Sequence, residues 1–359
     1  MKYGGMIFEK EEREAVDRVL EKSLWLLGEE TKLFEKELAE ITQTKQVVFV
    51  NSGSSALLLA FDALPKGEKK EVIIPATLFP TAVTAIQKAG LTPVVVDSRE
   101  DTLCIDEDEV DKAVNENTLA ILSVHVAGYM PNIDRLRKHD CYLIIDNCDG
   151  FGGKWKGKPV ESYADMAVTS FHAAHIISTG QGGAVFCNTD KVRELRDWGR
   201  MMEFNDDLEG IPPLPKDFQQ RYTYSSPGYN LSPLELQASI GRAQLKKLDR
   251  FIEARKKNHK YLSERVKYKT PTPPEGADCV WFTLPLLSED RPEILKRLRD
   301  NGIEYRNILA GNIVLHPAFK DLKTNSQLKG ANEITRKGFW VSVHPSTTKE
   351  QMDNALEIL

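Results

Sequence analysis

The sequence predicts an α/β fold, a mostly parallel sheet with helices on both faces, followed by a smaller α+β region. Three observations carry this. Short apolar runs alternate with amphipathic segments through the first half of the chain, the pattern of successive βα units. One run, Leu143-Ile144-Ile145, is apolar without interruption, as a strand buried on both faces should be. A break rich in Pro and Lys, from Lys267 to Gly276, then sets off a second group of elements.

In chain order, strands are expected at Gln46–Val50, Val72–Pro75, Pro93–Asp97, Leu119–Val124, Tyr142–Asp146, Met166–Thr169 and Ala184–Cys187. Helical segments such as Ser55–Leu64 and Phe79–Ala89 lie between them. The polar, Pro-rich stretch from Asp206 to Lys216 predicts an exposed loop over an active site or an interface. Leu231 to Leu262 predicts a long helix, with Leu234, Leu236, Ile240, Ala243, Leu245, Leu248 and Phe251 as its apolar face. Beyond the break, strands are expected at Cys279–Leu284 and Phe339–Val343, and helices at Arg291–Asn301 and Lys349–Ile358. A chain of 359 residues accommodates a large domain, residues 1–250 with a helical N-terminal segment, and a small C-terminal domain, residues 251–359.

Composition excludes several classes. The net charge is −5, and Lys and Arg are spread without long runs, so no nucleic-acid surface is expected. Met1-Lys2-Tyr3-Gly4-Gly5 leads into the charged run Glu9–Glu14, which is no signal peptide, and no apolar run is long enough to span a bilayer. The expected compartment is the cytoplasm. Cys104, Cys141, Cys148, Cys187 and Cys279 show no ligand spacing, so no zinc or iron–sulfur site is readable and buried apolar thiols are expected.

Five stretches carry chemistry. Asn51-Ser52-Gly53-Ser54-Ser55 follows a strand and opens a helix; it suits an anion such as phosphate or an ordinary N-cap. Asp146, at the carboxyl end of a buried strand, is where ligands bind in open sheets. It could pair with a protonated pyridine nitrogen, or cap the next turn. Asp149 fits a polar cofactor contact or turn chemistry. Phe79 fits a ring stacked on a flat heteroaromatic or a core position. Asn230, before the long helix, reads as a polar ligand contact or a turn residue.

The fifth stretch is Ser170-Phe171-His172-Ala173-Ala174-His175-Ile176-Ile177-Ser178-Thr179-Gly180-Gln181-Gly182-Gly183, small and hydroxyl residues with a Gly-rich exit. His172 and His175 stand three apart, but no third metal ligand is visible nearby. This loop resembles the cofactor-lysine loop of the DegT/DnrJ/EryC1/StrS sugar aminotransferases, whose sixth residue is the lysine that bonds to pyridoxal phosphate (PLP). Here that position is His175. An imidazole has no primary amine, but it moves protons near neutral pH.

The resemblance extends along nearly the whole chain. It is carried by Trp25-Leu26-Leu27-Gly28, Phe79-Pro80-Thr81, Asp146-Asn147-Cys148-Asp149, Leu195-Arg196-Asp197-Trp198-Gly199-Arg200, Tyr222-Thr223-Tyr224, Gly228-Tyr229-Asn230-Leu231, Arg306-Asn307-Ile308-Leu309-Ala310-Gly311-Asn312 and His316-Pro317-Ala318-Phe319. It implies the type I fold of aspartate aminotransferase, a homodimer, and PLP or pyridoxamine phosphate (PMP) as cofactor. It is strongest to the NDP-4-keto-6-deoxyhexose 3-dehydratases, in which histidine replaces the lysine. By that resemblance Asp146 pairs with the pyridine nitrogen and Phe79 stacks on the ring. Gly53, Ser54 and Ser170 hold the phosphate, and Asn230 reaches in from the other subunit.

Two departures refine this. Iron–sulfur-dependent 3-dehydratases place four cysteines after the Arg-Asp-Trp-Gly-Arg motif, whereas Met201–Tyr229 contains none; no cluster and no reductase partner are expected. The segment Pro159–Asp190 holds no lysine. The expected reaction is therefore the C3 deoxygenation of a nucleotide-linked 4-keto-6-deoxyhexose in deoxysugar synthesis, with glutamate as amino donor and His175 as base. Arg200, Arg306 and His316 suit diphosphate or sugar contacts, or surface and interface positions. Two rival readings are a nucleotide-sugar aminotransferase, native or lysine-substituted, and a non-catalytic PLP-binding homologue.

Overall fold

The computed structural model describes residues 1–200 and 222–359; the Asp206–Lys216 segment lies outside them. All seven apolar runs of the first half form strands: β1 (Gln46–Val50), β2 (Glu71–Pro75), β3 (Thr92–Val96), β4 (Thr118–Val124), β5 (Tyr142–Asp146) and, beyond a small hairpin of β6 (Lys154–Trp155) and β7 (Lys158–Pro159), β8 (Met166–Ser170) and β9 (Gly183–Cys187). They pair in the order β1-β9-β8-β5-β4-β2-β3. Side chains alternate between the two faces. Leu143 and Ile145 enter one core with Phe49, Ile121 and Phe186, and Ile144 enters the other with Val50, Leu122 and Val168.

β2, β3, β4, β5 and β8 run parallel, but β9 is antiparallel to both β8 and β1. The reason lies in the connection. A parallel return needs a crossover, usually a helix, whereas residues 171–182 between β8 and β9 form no regular helix. The chain turns back on itself there, and the turn is the His175 loop.

The helices are α1 (Lys10–Leu20), α2 (Glu29–Thr42), α3 (Gly53–Asp62), α4 (Thr81–Lys88), α5 (Glu107–Ala113), α6 (Ile133–Arg137), α7 (Lys191–Arg196), α8 (Glu235–Leu245) and α9 (Leu248–Ser263). The single helix expected over Leu231–Leu262 is thus two. It breaks at Lys246–Lys247, where the Lys247 ammonium bonds Glu9 and Glu12 at 2.7 and 2.8 Å. Of the expected apolar face, Ala243, Leu245, Leu248 and Phe251 are buried, and the remainder is corrected. Leu234 is 48% exposed and Leu236 and Ile240 are half-buried. The packed face of α8 carries Ala238, Ser239, Gly241 and Ala243. A Cβ on Gly241 would stand 2.5 Å from the Phe34 ring, so small residues let α2 approach closely.

Buried Glu235, first residue of α8, caps α2: it accepts from the N–H groups of Gly28, Glu30 and Thr31 at 2.8, 2.8 and 3.0 Å. Glu235→Ala leaves three helix-start donors without partners. It is expected to cost about 2–4 kcal/mol, read as a lower midpoint in chemical denaturation. A midpoint within experimental error of wild type would show the cap to be dispensable.

The C-terminal part adds β10 (Ala277–Asp278), β11 (Thr283–Leu287), β12 (Tyr305–Arg306), β13 (Lys323–Thr324) and β14 (Gly338–Ser342), with helices α10 (Arg291–Asp300), α11 (Lys329–Lys337) and α12 (Lys349–Ile358). β13 extends the large sheet beside β3. β11, β14 and β12 form an antiparallel sheet over a third core containing Leu284, Leu286, Ile294, Leu298 and Val341. The strand expected from Cys279 begins four residues later. Cys279 and Val280 belong to the large-sheet core, and the Phe282 N–H donates to the Ala127 carbonyl at 3.0 Å. α9 links the regions, with Phe251 in the large-sheet core and Leu262 in the third.

Candidate active site

Parallel strands bring their carboxyl ends to one edge of a sheet, where ligands bind in open α/β folds. Here the chain leaves β2 toward Phe79, β4 into His125, β5 at Asp146 and β8 at Ser170, and these residues line one cavity of about 660 Å³.

Gly53 and Ser54 line it at the start of α3. The opening N–H groups of a helix have no partner within it. Ser52 caps by accepting from the Ser55 N–H at 3.1 Å. A Cβ at Gly53 would meet the Ser170 Cβ at 2.7 Å and the Cys148 Sγ at 3.4 Å. Only glycine lets α3, the end of β8 and the turn after Asp146 converge. Ser54 Oγ donates to Thr81 Oγ1 at 3.0 Å, tying α3 to α4. Free N–H groups, hydroxyls and the positive end of a helix dipole make this an anion cradle.

Asp146 is 5% exposed. The Cys148 N–H donates to its Oδ1 at 3.1 Å, and burial raises its pKa above the usual carboxylate value. Among the described residues no cation pairs with it. A buried carboxylate in that state is costly, and a cationic ring nitrogen would relieve it. Phe79 is 53% exposed at the cavity wall, so it is not a core residue. Cradle, lone carboxylate and open aromatic ring fit a phosphorylated pyridine.

The His175 loop closes through Phe171 N–H to the Gly182 carbonyl at 2.9 Å and Thr179 N–H to the Phe171 carbonyl at 3.0 Å. The imidazole is 16% exposed; its Nε2 stands 3.6 Å from Asp149 Oδ1, and its Nδ1 is sealed from solvent without a partner. Burial, then the neighbouring His172 and Arg255, hold its pKa down to about 3. Burial lifts Asp149 to about 7, against the pull of the Ala127 N–H, which donates to its Oδ2 at 2.9 Å. Asp149 therefore faces the histidine, an arrangement that neither of its sequence readings contained.

Arg306 and His316 also line the cavity. The Arg306 guanidinium lies 4.7 Å from the Tyr3 ring, and His316 Nε2 is 2.8 Å from the Ala310 carbonyl. Arg200 and Asn230 do not line it. Arg200 stacks on Trp198 at 4.9 Å, and Asn230 is exposed beside Asp197. The motif containing Arg200 is built for structure: Arg196 grips Asp197 through two bonds of 2.9 Å and Glu35 at 2.9 Å.

The comparisons with known proteins agree with this geometry. The model of the DegT/DnrJ/EryC1/StrS aminotransferase family matches residues 7–359. The chain belongs to this family. It is 34% identical to the lipopolysaccharide biosynthesis protein RfbH of Salmonella typhimurium, across 92% of this chain and 84% of that protein. It is 32% identical to a GDP-4-keto-6-deoxy-D-mannose 3-dehydratase of Yersinia pseudotuberculosis, across 98% of this chain and 96% of that one. A solved GDP-4-keto-6-deoxymannose-3-dehydratase with a trapped PLP-glutamate geminal diamine superposes with a TM-score of 0.91, covering 100% of this chain and 99% of that one at 28% identity. The architecture of this DegT-family chain is thus the type I fold of PLP-dependent enzymes.

Sequence reasoning missed His125. It is 1% exposed and lines the cavity, with Nε2 buried and unpartnered. Its Nδ1 lies 3.3 Å from Asn147 Oδ1, and the Asn147 amide donates to Glu161 Oε1 at 2.7 Å. That orientation makes Nδ1 the protonated nitrogen and leaves Nε2 an acceptor. The rule that singles out Asp146, a polar residue at the carboxyl end of a strand, applies equally to His125 after β4.

Proposed function

We propose that this DegT-family chain is a PLP/PMP-dependent 3-dehydratase acting on a nucleotide-linked 4-keto-6-deoxyhexose. The observation that carries the reading is His175: an imidazole in the cavity wall, at the loop position where an aminotransferase has its lysine. The bound cofactor would supply an amine for the C4 ketone and an electron sink that lets the C3 hydroxyl depart. Gly53 and Ser54, with Ser170, bind the phosphate at the α3 N-terminus. Asp146 holds the ring nitrogen and keeps it protonated. Phe79 covers the ring face. Neutral His175 takes a proton at Nε2, since Nδ1 is sealed off. Asp149, 3.6 Å away, then balances the imidazolium, which can return the proton to the departing hydroxyl.

Glutamate is the proposed amino donor, in keeping with the PLP-glutamate adduct in the solved dehydratase. Arg306 and His316 are proposed to meet the sugar nucleotide. A homodimer is proposed, with Asn230 reaching the partner's cofactor. Leu24, Trp25, Leu26 and Leu234 are 61, 45, 37 and 48% exposed, a bridge brings Leu26 beside Leu234, and exposed large apolar side chains of this kind suit an interface. We also divide the chain at residues 250/251, because every buried residue of the third core lies beyond that point.

The test is to incubate the protein with PLP, glutamate and GDP-, dTDP- and CDP-linked 4-keto-6-deoxyhexoses, and to weigh the products. Loss of the C3 oxygen with release of ammonia is expected. A stable amino sugar would instead make the chain an aminotransferase.

A further inference from the structure

Arg255, on α9, is 1% exposed. Among the described residues it forms no ion pair, and the carboxylate acting on it across space is Asp149. Its donors go to backbone carbonyls instead. Nη1 reaches Phe282 at 2.9 Å and Trp281 at 3.4 Å, and Nη2 reaches His175 at 3.4 Å. Nε has no partner. The Phe282 ring is the surface on which the His175 imidazole rests, with centroids 5.5 Å apart. One guanidinium therefore bonds both the carbonyl of His175 and the carbonyl of Phe282, the residue whose ring lies beside the imidazole. Burying a charge without a paired counter-ion is costly, and an apolar side chain of similar volume would fill the space more cheaply.

We propose that Arg255 is a positioning residue for His175, clamping the loop that carries the base and setting a positive charge without an ion-pair partner near its imidazole. This rests on the reading of His175 as the base. The groups around the imidazole come from several elements. Asp149 lies after β5, His172 is in the same loop, and Tyr3 lines the cavity from the N-terminal segment. Arg255 lies on α9, and His344, after β14, shares a small pocket with His175. Of these, Asp149 is the carboxylate. Arg255 draws its pKa down and draws that of His175 down as well. One charge thus favours both members of a working pair, a neutral base and an ionised carboxylate.

The test uses cofactor-free protein with ¹³C-labelled imidazoles, titrated by NMR, the His175 signal being assigned from its loss in His175→Asn. Arg255→Gln keeps a donor for the carbonyls but removes the charge. Its His175 titration is expected to move up by about one pH unit or more. Arg255→Lys keeps the charge but loses the fork. There the titration stays near wild type, while amide exchange at residues 173–178 quickens at least severalfold. An identical His175 titration in wild type and Arg255→Gln overturns the charge role, and unchanged exchange in Arg255→Lys overturns the clamp. If Arg255→Gln does not fold, the Lys variant decides: a His175 titration moved up by a unit with the charge retained overturns the proposal. Failure of the dehydration reaction itself would leave both readouts intact, so the two readings fail separately.

Discussion

His175→Asn is expected to bind cofactor as wild type does and to lose about two to four orders of magnitude in turnover. The imidazole lines the cavity beside Asp149, and burial keeps it in the neutral, proton-accepting form, with its pKa down to about 3. Asparagine is similar in reach and polarity but has no basic nitrogen. The proposed binding elements lie elsewhere in the cavity wall: the α3 cradle at Gly53 and Ser54, the carboxylate of Asp146 and the ring of Phe79. The loop closure uses backbone groups of Phe171, Thr179 and Gly182, which the substitution leaves alone. Absorbance titration with PMP should therefore give an affinity within a few-fold of wild type, while single-turnover assays of C3 deoxygenation collapse. Dehydration at the wild-type rate in this variant would remove His175 from the chemistry. A parallel collapse of PMP affinity would mean that the histidine holds the cofactor instead.

The parts of this molecule that were legible in its sequence are those set by local pattern. Leu143-Ile144-Ile145 announced a two-sided strand, and Asp146 and the Ser52–Ser55 cap followed from the ends of such strands. The unreadable parts depend on partners far along the chain. The α8 face packs through Ala238, Gly241 and Ala243 because Phe34, some two hundred residues earlier, needs room. An apolar-period reading prefers Leu234, Leu236 and Ile240, which stay partly outside. Glu235 looks like a first-turn acid of its own helix, yet it caps α2. Asp149 reads as turn chemistry until the His175 loop is folded over it. Arg255 sits in a charged stretch, Glu253-Ala254-Arg255-Lys256-Lys257. It falls at helical spacing on the face that Leu248, Phe251 and Leu262 bury, but a reading that follows apolar residues passes over a cation at such a position.

Asp146→Asn is expected to act in opposite directions on the free and the cofactor-loaded protein. In the free protein the carboxylate is buried without a cation, and burial raises its pKa. An acid whose folded pKa exceeds its unfolded value contributes stability at low pH and loses it as pH rises through the folded value. Asparagine removes that titration and can still accept from the Cys148 N–H, which now bonds Oδ1 at 3.1 Å. The cofactor-free variant should thus melt at a higher temperature than wild type, with the advantage growing as pH rises from below the ordinary carboxylate pKa to neutrality. With PLP the order reverses. A neutral amide cannot balance a protonated ring nitrogen, and truncating one partner of a buried charge pair costs about 2–5 kcal/mol. The rise in melting temperature on adding saturating PLP should shrink accordingly, and turnover should fall by at least about a hundredfold, because an unprotonated ring accepts electrons poorly. The paired melts separate this role from the alternative in which Asp146 merely caps the following turn. A cap, which asparagine makes as well as aspartate, would leave the melting temperature in both states and the PLP-induced shift close to wild type.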